Sequence, residues 1–327
     1  MKIEIIVPYT YNEYEDTFGD TPMVLKELKS LSGKIDFIIH GTSINFITIA
    51  APKKDDSKIS ELFRDHLFYS SFDLYLKFTI KIDLKKVKNL DDTEFDVPIL
   101  YKQFIRRLLI YFNLAAPGAF YTQQGYVTTT NKEKKETEKF SAIVSLIPES
   151  LHLLDSLKWP TVKRISLLEF YPWIRKYNKA LQGISTTKIE RALNCFSYLF
   201  HHSFAEQSAS DLFYSLMAVE TFYADKSDSI MKQVDRKSQI VLGSRSESKN
   251  IFKQMYDFRS RYIHGDLDLP NAEYDYITEE SEKEIYGPHM DPLSKHTGLA
   301  MFMLIATIQK LYELKKEDFI FDYHLVS

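Results

Sequence analysis

The order of apolar and polar positions changes character about midway along the chain. In the first half the period is mostly two. Ile3-Glu4-Ile5-Ile6-Val7 reads as an opening strand, and 35–39 and 44–49 flank His40-Gly41-Thr42-Ser43 as a hairpin with a turn of about four residues. Residues 74–82 alternate over their second half, as a half-buried strand does. Apolar residues at 104, 105, 108, 109 and 112 have helical spacing, and Pro117-Gly118 closes that helix. Residues 121–130 and 140–147 read as strands around the charged tip 132–136. From about residue 165 the period becomes helical: 166–181, 188–202 with Thr186 or Thr187 as cap, 211–223 capped by Ser210, 229–242 stopped by Gly243, 248–264 closed by Gly265, and 293–316. The expected fold class is α+β, a mixed N-terminal domain over 1–158 followed by an all-α bundle over 159–327. There is no internal repeat.

Composition narrows the function classes. The chain has 327 residues, long enough for two domains, with 44% hydrophobic and 27% charged residues. Lys and Arg number 42 against 45 Asp and Glu, a net charge of −3, so bulk positive charge does not coat nucleic acid, although a local basic patch remains open. The single Cys195 excludes a disulfide framework and a cysteine-rich zinc site. The apolar stretch 298–308 is far shorter than the roughly 20 residues of a membrane helix. No targeting segment is visible, so a cytoplasmic location is expected and a membrane partner is not.

The chemistry concentrates in Tyr256-Asp257-Phe258-Arg259-Ser260-Arg261-Tyr262-Ile263-His264-Gly265. Met255, Phe258 and Tyr262 give the helix a buried stripe. Arg259 and His264 are five residues apart, about 140° around a helix, so their side chains do not stack, yet a helix ending at Gly265 lets both flank one cleft. Glu220 falls on the apolar stripe of its helix, marked by Leu212, Leu216, Met217 and Tyr223. A buried carboxylate requires a partner, and Arg236 and Arg259 are the candidates. Two roles are open to Glu220, a structural ion pair or the orientation of Arg259.

This run resembles the signature of the Apea-like branch of HEPN domains. Ala218-Val219-Glu220 in an aromatic-rich helix, Arg236-Lys237 in the intervening helix and a long apolar helix after His264-Gly265 agree with it, and the resemblance covers roughly residues 185–316. It implies a bundle of four to five helices that dimerises, with Arg259 and His264 as catalytic residues beside a shared groove. Glu220, Arg236, Ser260, Arg261 and Tyr262 would support them. Many members resemble metal-independent endoribonucleases of toxin–antitoxin pairs or antiphage defence, so RNA is the implied partner and no cofactor or metal is required. Other HEPN domains are inactive modules that hold a nucleotide or a partner protein. The residues suit RNA cleavage through the 2′-hydroxyl. Histidine exchanges protons in neutral solution, and arginine presents forked donors to phosphate oxygens. One His per chain supplies one proton-transfer group, and twofold symmetry supplies the second.

Charge and isolated residues add less. Residues 225–264 hold nine Lys or Arg against five Asp or Glu, and 266–291 hold one Lys against nine Asp or Glu. The acidic segment is either a solvated loop or a cover for a basic groove. His201-His202 lacks metal-ligand company, Cys195 reads as an inert core thiol, and Arg106-Arg107 read as the solvated face of their helix. No Gly-rich phosphate loop is present. The N-terminal domain is expected to recognise a trigger, partner or substrate.

Overall fold

A computed structural model describes residues 1–9, 21–35, 37–39, 42–44, 47–50, 57–63, 74–82, 97–118, 124–131, 134–141, 150, 157–177, 184–200, 209–225, 229–245, 249–269 and 291–321. The architecture is mixed α+β. The chain divides into two compact units, Met1–Ser145 with Arg164–Tyr171, and Leu146–Lys163 with Pro172–Ser327. The boundary expected at 158/159 falls within the 146–163 segment that belongs to the second unit.

The first unit is built on a five-stranded antiparallel sheet in the order β4-β5-β1-β6-β7, with β1 Lys2–Tyr9, β4 Ile47–Ala50, β5 Leu74–Lys81, β6 Gln124–Asn131 and β7 Lys134–Ser141. β1 is central, pairing Lys2 with Lys81 on one side and with Thr130 on the other. Its alternation sets two faces. Ile3, Ile5 and Val7 are buried, as are Leu76, Phe78 and Ile80 of β5. Helix α3, Val97–Ala115, contributes Phe104, which meets Phe78 edge to face at 5.4 Å. On the opposite face Ile59 and Leu62 of helix α2, Ser57–Leu62, cluster with Ile6, Phe63, Tyr75 and Tyr126. Gly125 of β6 is required by its cross-strand neighbour, because a Cβ there would run into the Phe140 ring. Phe140 in turn packs on Tyr101 of α3 at 4.9 Å. Helix α1, Thr21–Ser30, supplies Glu27, which accepts a hydrogen bond from the amide of Leu167, the first residue of helix α4, Leu167–Ile174, and pairs with Arg164 at 3.1 Å.

Several boundaries differ from the sequence reading. The 35–49 region is not one hairpin: β2 Phe37–Ile39 pairs with β3 Thr42–Ile44, and Ile47–Ala50 leaves to join the main sheet. β7 begins inside the charged tip, because its exposed Lys and Glu residues form an edge strand. Arg106 and Arg107 are not a solvated face. Arg107 is buried, and burial lowers the pKa of Arg106.

The second unit is a helical bundle of α5 Lys188–Tyr198, α6 Ala209–Tyr223, α7 Ile230–Leu242, α8 Lys249–Ile263 and α9 Asp291–Leu314. Helix α9 is buried on nearly every side from His296 to Gln309, as expected of an all-round apolar helix at a bundle centre. Thr187 caps α5 in a reciprocal box with Glu190. Ser210 is not a cap, since α6 already begins at Ala209. Gly243 follows α7 at φ 90°. Tyr223 of α6 hydrogen-bonds Thr307 of α9 at 2.7 Å, and Gln309 of α9 holds the backbone of Lys163 through both amide atoms. Arg245, after α7, is buried between the Trp159 and Phe252 rings and pairs with Asp235. Among the described residues no helix is long and apolar enough to cross a membrane.

Candidate functional site

Helix α8 positions the Arg–His pair. Its apolar residues Ile251, Phe252, Met255 and Phe258 are buried, which aims the remaining positions at its neighbours and outward. The helix closes in a Schellman turn. The Gly265 amide donates to the Tyr262 carbonyl at 3.2 Å and the Asp266 amide to the Arg261 carbonyl at 2.8 Å, with Gly265 at φ 75°. Glycine meets this left-handed position without the cost a Cβ brings. The turn leaves His264 as the last residue before the reversal, exposed, with its amide bonded to the Ser260 carbonyl at 3.0 Å. The sequence motif therefore places an imidazole at a fixed helix end.

Arg259 lies on another side of α8, facing α6. Its Nη1 is 3.8 Å from Glu220 Oε1, with 28% of the Arg259 side chain and 13% of the Glu220 side chain exposed. Burial raises the Glu220 carboxyl pKa, while the Arg259 charge and the Tyr256 phenol act in the opposite direction. Tyr256 is buried, and its hydroxyl lies close enough to influence the carboxylate but short of a hydrogen bond of ordinary geometry. Burial and the neighbouring Glu220 raise the pKa of that phenol well above the usual tyrosine range.

The contacts fix how α6 and α8 meet. Phe213 packs on Tyr262 at 5.7 Å, and Glu220 faces Arg259 and Tyr256. The two helices therefore run antiparallel along this seam. Phe213, Met217 and Glu220 share a helical face, so Met217 lies between the aromatic contact and the ion pair. Met217 is 48% exposed, which corrects its assignment to the buried stripe. The buried residues of that helix include Leu212, Leu216 and Tyr223, as expected, with Val219 and Phe222 beside them. Ile263, beside His264, is 55% exposed.

The remaining residues singled out from the sequence separate into two groups. Ser260 is exposed and contributes its carbonyl to the helix end. Arg261 reaches across the turn to the Asp266 carbonyl at 3.3 Å, and Tyr262 carries the ring contact. Arg236 is exposed on α7; the ion pair of Glu220 is made with Arg259. Lys237 is buried and committed to Asp225 at 2.9 Å and Gln233 at 3.0 Å. Cys195 is half-buried, and burial raises its thiol pKa, which disfavours the reactive thiolate. His201-His202 and the acidic segment 270–288 lie outside the described residues.

Sequence reasoning missed two residues here. Tyr256 stands three before Arg259, on the same side of α8, and was within reach of the i, i+3 rule. His296 gave no signal as one polar residue in an apolar helix. It is buried against Phe258 at 5.4 Å, and burial, with Lys295 adding to it, pushes its imidazole down to about 4. Comparisons with models of protein families, with curated proteins and with solved structures return no match for this chain.

Proposed function

We propose that the chain is an endoribonuclease of HEPN type, cutting RNA without a metal ion at Arg259 and His264, in antiphage defence or as a toxin. The observation that carries this reading is the arrangement on α8, with a guanidinium held by a half-buried carboxylate and an exposed imidazole one and a half turns further on. The two functions need such different surroundings. Arg259, tethered on one side, keeps donors for a phosphate oxygen and stabilises charge that develops on the phosphorane. His264, in contact with solvent, exchanges a proton with the 2′-hydroxyl or the leaving 5′-oxygen. The reaction joins the 2′-oxygen to phosphorus as the bond to the 5′-oxygen breaks, leaving a 2′,3′-cyclic phosphate and a 5′-hydroxyl.

Each chain carries one such imidazole, so the reading includes a homodimer formed through the bundle. Exposed Met217 and Ile263 beside the pair supply apolar surface for that contact. The N-terminal unit is assigned the recognition of a trigger or partner. The test is incubation of wild type, Arg259→Ala and His264→Ala with total RNA in the presence of a chelator. Cleavage by wild type alone, with cyclic phosphate ends, is expected. Equal cleavage by all three overturns the assignment. The same exposed apolar residues favour a second reading, a non-catalytic HEPN module whose seam holds a nucleotide or a partner protein. It predicts a folded dimer that leaves RNA intact.

A further inference from the structure

We propose that Tyr256 is a positioning residue, its buried phenol steadying the Glu220 carboxylate that aims Arg259. This inference rests on the ribonuclease reading and deepens it. Three buried polar atoms meet in the α6–α8 seam without a hydrogen-bond partner: Tyr256 Oη, Glu220 Oε1 and Arg259 Nε. Such groups are uncommon in folded interiors, so each of the three calls for a partner. Their chemistry is complementary. The phenol and the Nε–H are donors, and the carboxylate is an acceptor. The helices that carry them are fixed by independent contacts, Phe213 with Tyr262 across the seam and the buried residues of α8 beneath.

The groups around the carboxylate define what it responds to. From α8, Arg259 and Tyr256 face it, and both favour its charged form. From α9, the ring contact of His296 is with Phe258. From α7, Lys237 is bonded to Asp225 and Gln233. Burial favours the neutral acid and so works against the two α8 groups. Removing the phenolic oxygen deletes one of two supports. Glu220 then takes up a proton at higher pH, and a neutral carboxyl no longer tethers the guanidinium.

The experiment is the pH dependence of RNA cleavage by full-length wild type, Tyr256→Phe, Glu220→Gln and the double variant, with melting temperatures in parallel. Tyr256→Phe should cleave within about twofold of wild type at pH 8 and fall progressively below it as pH is lowered, by at most about tenfold, the limit when a carboxyl moves by about one pH unit. Adding Tyr256→Phe to Glu220→Gln should change nothing further, because the phenol acts through the carboxylate. A Tyr256→Phe profile that superimposes on wild type overturns the inference. So does a loss of equal size at every pH that follows a lowered melting temperature. Cleavage that survives in His264→Ala instead overturns the ribonuclease reading itself, so the two failures are distinguishable.

Discussion

Replacing Arg259 with alanine should destabilise the protein far more than replacing Arg259 and Glu220 together. Opposite charges 3.8 Å apart attract by about 4 kcal/mol at an effective dielectric of about 20, most of it offset by the cost of drawing both from water. What the single variant loses is therefore not the net worth of the pair. It loses the compensation for a carboxylate whose burial already favours the neutral form. Breaking a fully buried pair costs about 3–5 kcal/mol, and because 28% of the Arg259 side chain is exposed we expect about half of that, roughly 2 kcal/mol. For a bundle of this size, that is a fall in melting temperature of about 4–8 °C.

Glu220→Gln should leave stability unchanged or slightly raised at pH 7.5, because a carboxyl raised above its ordinary range in the folded state costs stability as pH rises through and beyond that range. The same sign makes the Arg259→Ala deficit shrink as pH is lowered and Glu220 becomes neutral. The assay is thermal denaturation of the four members of the cycle at pH 7.5 and pH 5. Equal melting temperatures for Arg259→Ala and for Arg259→Ala/Glu220→Gln would show that Glu220 is left with no uncompensated charge when Arg259 is removed.

Three further expectations follow from separate parts of the second unit. His296, held down to about 4 by burial, contributes stability that is complete above about pH 6.5 and is lost as pH falls toward 4, so His296→Leu should flatten the melting temperature against pH over that interval; an unchanged slope contradicts it. Arg245→Lys removes a planar guanidinium from between Trp159 and Phe252 and should lower stability by about 2 kcal/mol, read by urea denaturation, and an unchanged midpoint denies the clamp a role. Gly265→Ala places a Cβ at φ 75° with no atom within 4 Å of it, so the cost is backbone strain alone, about 1 kcal/mol. By disturbing the turn that presents His264 it should reduce RNA cleavage more than it reduces stability, and full cleavage speaks against that turn as the positioning element.

Period and punctuation carried much of the architecture, because they act locally. β1, β5 and α5 to α9 follow from apolar spacing and from Thr187, Gly243 and Gly265, whose effects reach only a few residues. The partnering of strands is non-local, which is why apolar spacing reads 44–49 as one strand of a hairpin with 35–39, whereas Ile47–Ala50 ladders with β5. The site divides in the same way. Arg259, His264 and Glu220 were visible through spacing within single helices. Tyr256 and Phe213 matter only because α6 meets α8, a relation no single helix reveals. Arg107 is misleading for a related reason, since a long stem lets a charged residue be buried wherever the fold supplies its partners.

A carboxylate in this seam is hard to explain by stability. A hydrophobic residue of similar volume would serve the packing of α6 at least as well, since a buried pair rarely repays its own desolvation. An arginine at an exposed site, in contrast, samples many rotamers and loses entropy each time it grips a phosphate. On the ribonuclease reading, tethering Arg259 to Glu220 spends folding stability to remove that freedom in advance, which is how preorganised electrostatic sites work. Read as the proton carrier of that proposal, His264 needs no such tether, because it must meet both substrate and solvent, and the Schellman turn already fixes where its backbone stands. The division of labour along α8 therefore makes opposite demands on its two residues. Glutamate at 220 should be costly to keep and costlier still to lose for cleavage, and a Glu220→Leu variant that melts higher than wild type while cutting RNA poorly is the result this account requires.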